Sequence, residues 1–113
     1  MNELAEPIQF GADLEIDDGN AVVTLRGELD VSSLPALRRV VVSALDFRPV
    51  ELTLDMSAVT FLDPAGVGGL MSAAAMAAES GCRIGVRGAS ASATQVLLLL
   101  DVDDALHIER STS

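Results

Sequence analysis

Three aspartates stand where extended segments end: Asp30 after Gly27-Glu28-Leu29, Asp55 after Leu52-Thr53-Leu54, and Asp63 after Phe61-Leu62. Carboxylates delivered by neighbouring strand ends can converge to hold a divalent cation or to accept a phosphoryl group. A simpler use competes, because an aspartate ahead of a helix accepts the free N–H groups of its first turn. Lysine is wholly absent, and a phospho-aspartate site of the receiver type normally needs one, so capping is the stronger reading for Asp30 and Asp63. Ser57 and Thr60 place hydroxyls between Asp55 and Asp63, where such groups commonly bond the backbone in place of ladder partners. For nucleophilic chemistry they need a base. The only histidine, His107, lies more than forty residues further along, and no nucleophile-elbow motif surrounds either hydroxyl. Cys82 is the only cysteine, which excludes an internal disulfide, and at the opening of a predicted buried strand it reads as a small hydrophobe. These residues predict no catalytic set, no metal centre and no cofactor, and therefore a protein that is not an enzyme.

The elements that position these residues are legible from periodicity. Ile8, Phe10, Ala12, Leu14 and Ile16 alternate with polar or small residues, the pattern of a half-buried strand. Asp17-Asp18-Gly19-Asn20 is a turn cluster, and residues 21–27 alternate around Val23 and Leu25, which predicts a hairpin. The period then becomes helical: Ser32 or Ser33 as cap, Pro35 in the first turn, and Leu34, Leu37, Val41 and Leu45 as the stripe, with a stop before Pro49. Residues 50–55 read as a strand and 56–62 as a connecting loop with a short extended piece. The strongest helix start follows, with Asp63 as N-cap, Pro64 at the first helical position, a stripe of Val67, Leu70, Met71 and Ala74, and a stop at Ser80-Gly81. Residues 82–86 predict a strand, Ser90 or Ser92 a cap for a helix to Leu100, and His107-Ile108-Glu109 an edge strand. Four consecutive leucines, Leu97 to Leu100, cannot all face one core from a helix, so an exposed apolar spot is expected. The sum is an α/β fold with a mixed four- to five-stranded sheet and helices packed on one side.

At 113 residues the chain suits one domain over residues 1–113, with a core at about 8–109. The acidic N-terminus and the lack of a long apolar run predict a cytoplasmic protein. Seventeen acidic residues against seven arginines give a formal charge of −10, which disfavours nucleic acid and anionic lipid and favours encounter with a basic partner.

Several segments, in order, resemble the STAS family: Gly27-Glu28-Leu29-Asp30, Leu54-Asp55-Met56-Ser57, Val59-Thr60-Phe61-Leu62-Asp63 and Gly66-Val67-Gly68. The resemblance is to the anti-sigma factor antagonist type. It implies a binding module whose glycine-rich helix start carries a serine that a partner kinase phosphorylates, the unphosphorylated form engaging that kinase to release a sigma factor. Here the motif reads Asp63-Pro64-Ala65-Gly66, with alanine at the phosphoacceptor position. The expected partner is an anti-sigma factor of the serine kinase type. The expected contact set is Asp30, Ser57, Thr60, Asp63, Pro64, Ala65 and Gly66, permanently competent to bind unless control has moved to Ser57, Thr60 or Ser72. A homodimer is compatible with this reading. STAS domains also serve as scaffolds in stress-signalling assemblies and as subunits of lipid transporters, and the missing serine raises that alternative.

Overall fold

The computed structural model of the protein describes residues 10–100 and 105–109. The first described elements are β1 (Gly11–Asp17) and β2 (Asn20–Leu29), an antiparallel hairpin in which Asp17 pairs with Asn20. Asp18 and Gly19 between them have φ of 53° and 83°, the two positive values that a tight twisted hairpin turn requires. Phe10, Ala12 and Leu14 are half-buried as the alternation predicts, whereas Ile16 is exposed; Ile8 lies outside the described residues.

A 3-10 turn (Val31–Ser33) leads into α1 (Leu34–Asp46), then β3 (Glu51–Leu62), α2 (Pro64–Glu79), β4 (Arg83–Arg87), α3 (Ala91–Leu99) and the short β5 (His107–Ile108). The sheet order is β1-β2-β3-β4-β5, with every pair after the hairpin parallel. Each crossover therefore advances in the same direction. Because such connections are right-handed, all three helices fall on one face. Burial agrees: Val23, Leu25, Leu52, Leu54, Met56 and Val86 are sealed against Leu37, Val41, Leu70, Ala74 and Leu97 of the helices. Thr24, Arg26, Thr53, Asp55 and Arg87 alternate with the strand residues and face solvent across the uncovered side.

Two local expectations change. Residues 56–62 are not a loop but the second half of β3, which reaches Leu62 through two register shifts. Thr24 pairs with Asp55 and Arg26 with Ala58, so Met56 and Ser57 together oppose Leu25; Gly27 then pairs with Val59 and Glu28 with Phe61, leaving Thr60 extra. Such bulges interrupt the alternation by which a strand is recognised, while the ladder continues. Ser33 does stand at the N-cap position of the first helix, but its side chain makes no capping bond there. Asp30 accepts from Ser32 N (3.0 Å) and caps the 3-10 turn instead, while Ser33, 1% exposed, donates its hydroxyl to the Glu28 carbonyl at 2.6 Å.

Candidate functional site

Leu29 and Leu62 are register partners, so β2 and β3 end side by side and their exits, Asp30 and Asp63, share one end of the sheet. Asp63 N donates to the Leu29 carbonyl at 3.4 Å, tying the start of α2 to the end of β2. The Asp63 carboxylate accepts from Gly66 N at 2.8 Å, with Pro64 next in the chain, as the capping signal predicts. An acid there also meets the positive end of the helix dipole. Replacement by alanine is expected to cost about 0.5–2 kcal/mol of stability, most of it restored by Asp63→Ser, as read from denaturant midpoints.

The glycines after Asp63 differ in their reasons. A Cβ on Gly66 would overlap the carbonyl oxygen of Leu29 and lie 3.0 Å from Leu62 Cδ1, and one on Gly69 would lie 2.5 Å from Leu34 Cδ2, so these two allow α2 to close on β2 and α1. Gly68 meets nothing within 4 Å. Tight packing thus accounts for Gly66 and Gly69 and leaves Gly68 without an explanation inside the chain. Pro64 is exposed and Ala65 half-exposed, so the helix start is reachable from solvent.

Thr60, Asp30, Asp63, Pro64 and Ala65 gather at this end of the molecule. Gly66 is there too, and it is buried. Ser57 stands apart, six residues before Asp63 along β3, up to about 20 Å at strand rise. Its hydroxyl and amide both donate to Asp55, at 2.7 and 2.9 Å, and Arg87 Nε donates to the same carboxylate at 3.1 Å. Burial pushes the Asp55 carboxyl up, but the Ser57 bonds and the Arg87 guanidinium outweigh it and hold it below the ordinary aspartate range. A carboxyl depressed on folding stabilises the fold above its unfolded pKa, about 3.9, and that contribution is lost as pH falls through the folded value. The stability gap between wild type and Asp55→Asn is therefore expected to be open at pH 7 and to close below about pH 4 in paired denaturation curves.

Asp30 is likewise held low, chiefly by the Ser32 hydroxyl. With Asp30, Asp55 and Asp63 each engaged by hydrogen bonds of its own, the three do not converge. Among the described residues no group of three His, Cys, Asp or Glu side chains is placed to hold a metal ion. No hydrogen bond joins Ser57 or Thr60 to His107 in β5. Cys82 is buried, and desolvation, with Glu51 nearby, pushes its thiol up and away from reactivity.

Two apolar residues that sequence reasoning passed over flank the helix start: Val31, 68% exposed, and Phe61, 50% exposed. Their signal was an apolar residue at a segment end with no place in the buried alternation. Beside Ala65 a shallow groove of about 240 Å³ runs between α1 and α2, lined by Leu34, Leu37, Arg38, Gly68, Ser72 and Met76 among others. It joins residues from two separate helices and has no local signature. The exposed leucines expected on α3 are Leu99, 76% exposed, and Leu100.

A mixed sheet in this order, backed on one face by its crossover helices and ending in a capped, solvent-facing helix start, is the architecture of a STAS domain. The chain belongs to that family: the family model described as "Mlab, STAS domain" matches residues 12–109. Among solved structures it is similar to an anti-sigma factor antagonist from Mycobacterium paratuberculosis (24% identity, TM-score 0.80, covering 92% of this chain and 88% of that one). It is also similar to the Bacillus cell fate determinant SpoIIAA in its phosphorylated form (17%, 0.66, covering 89% and 93%). A sulfate transporter family protein from Wolinella succinogenes is a further likeness (18%, 0.70, covering 80% and 74%). Identities this low establish the shared fold. No curated protein matches the chain in sequence. Among the described residues no helix is long and apolar enough to cross a membrane.

Proposed function

We propose that this STAS domain is an anti-sigma factor antagonist, a cytoplasmic binding protein without catalytic activity that engages an anti-sigma factor of the serine kinase type and so releases a sigma factor. The observation that carries the reading is a solvent-facing start of α2 with Ala65 as its second residue, where a serine would be the switch. A phosphate at this position would meet free N–H groups and the positive helix end, so the helix itself tolerates it. Its regulatory effect comes from placing nearly two negative charges on a surface that must lose water against a partner. Ala65 cannot acquire that charge, which leaves the surface in its binding state. Ser57 is a poor site for relocated control, because its hydroxyl is committed to Asp55 away from the helix start.

The test is to isolate the chain with its partners from its native cells, then measure the purified pair with wild type and Ala65→Glu. A kinase-like anti-sigma factor held by wild type and released by the glutamate variant supports the proposal. A partner retained equally by both proteins removes the helix start from the contact.

A second reading, a scaffold subunit of a signalling assembly or transporter, has two observations in its favour: the family model is described as Mlab, and one structural likeness is a sulfate transporter family protein. Recovery of transporter subunits alone would establish it over the first.

A further inference from the structure

The groove between α1 and α2 adjoins the helix start but has its own chemistry. Its floor and walls are aliphatic or bare backbone, from Leu34, Leu37, Gly68, Gly69, Ala73 and Met76. At about 240 Å³ it falls below the roughly 300 Å³ at which small-molecule sites begin, and suits a single side chain. The one charged residue in its lining is Arg38, and no acidic residue lines it, although the chain carries 17 acids against 7 arginines. Arg38 is exposed, and the two ion pairs among the described residues, Arg26 with Asp13 and Arg87 with Asp55, do not involve it. Gly68 opens onto the same space: it sits inside a helix, where glycine costs propensity, yet a Cβ there would touch nothing in the chain. Ala65, Gly68 and Ser72 share one face at helical spacing, so an approaching backbone can come close over them.

We propose that the groove receives one apolar side chain from a helix of the partner protein, with a carboxylate one turn away on that helix paired to Arg38. On this pairing a negative charge at position 65, which also lines the groove, would compete for Arg38 and repel the incoming carboxylate. The inference rests on the docking reading for the partner's identity, but the groove and its charge preference are measurable without that partner.

The experiment titrates isotope-labelled protein with two capped, alanine-based helical peptides, one presenting Leu and Glu a turn apart and the other Leu and Arg. Amide shifts report the site. The acidic peptide is expected to give saturable shifts centred on Ala65, Gly68, Ser72 and Arg38 and to bind at least about tenfold more tightly than the basic one, a difference of 1.4 kcal/mol. Gly68→Leu fills the groove and abolishes those shifts, and Arg38→Glu inverts the preference between peptides. Gly68→Ala serves as the folding control and raises the thermal midpoint. No saturable shifts at millimolar peptide, equal binding of the two peptides, or a preference unmoved by Arg38→Glu would each overturn the proposal. A recovered kinase sensitive to Ala65→Glu, with the peptides failing, sinks the groove and leaves the antagonist reading standing; bound peptides with no kinase recovered do the reverse.

Discussion

Gly66→Ala is expected to destabilise the protein by about 2–3 kcal/mol, while Gly68→Ala, two residues along the same helix, stabilises it by about 0.5–1 kcal/mol. Both changes add one methyl group and both raise helix propensity. They differ in what the methyl meets. At position 66 it overlaps the carbonyl of Leu29 and crowds Leu62, and because the nearest obstruction is backbone held in the β2–β3 ladder, no rotamer change can relieve it. The start of α2 must shift away from the end of β2, lengthening the Asp63 to Leu29 hydrogen bond that is already 3.4 Å. At position 68 the methyl meets open space. Urea denaturation of the two variants beside wild type decides the matter through their midpoints. A Gly66→Ala protein at least as stable as wild type would show that α2 is not seated as closely on β2 as the geometry states.

Ala65→Glu is expected to weaken binding to the proposed anti-sigma partner by roughly 30- to 150-fold in Kd, about 2–3 kcal/mol, with little effect on the fold. The separation of the two effects follows from position. Residue 65 is the second of α2, where an acid favours the helix by about 0.3–1 kcal/mol, so the free protein should unfold no more easily than wild type. In the proposed contact, the same carboxylate must shed water that the neutral methyl of Ala65 does not hold. Ala65→Ser completes the comparison: if the partner is a serine kinase, as proposed, this variant should bind like wild type without nucleotide and lose the partner once ATP allows it to be modified. Calorimetry with and without ATP measures both. Unchanged affinity for Ala65→Glu would mean that the partner docks elsewhere on the domain.

The hairpin, the capped start of α2 and the α3 cap were all written in short stretches of chain. Asp18-Gly19 supplies the two positive φ angles, Asp63-Pro64 the cap and the first turn, and Ser90 accepts from Ala93 N at 3.1 Å. Each is a contact within three or four residues, so identity and spacing determine it. Helical and strand periods likewise predicted which faces are buried, because Leu52, Leu54, Val67 and Leu70 belong to unbroken repeats.

What only tertiary structure decided depends on neighbours distant in sequence. The second half of β3 reads as a loop because its bulges at Met56-Ser57 and Thr60 destroy alternation, yet pairing with β2 holds it extended to Leu62. That extension places Ser57 within β3, a stretch of strand before the start of α2 that carries Ala65. The adjacency of Leu29 to Gly66 separates a glycine that packing requires from one, Gly68, that it does not. Alternation and capping are local forces that a sequence displays directly, whereas steric clearance and a groove lined by both Arg38 and Gly68 exist only once two helices have packed on the same face of a sheet.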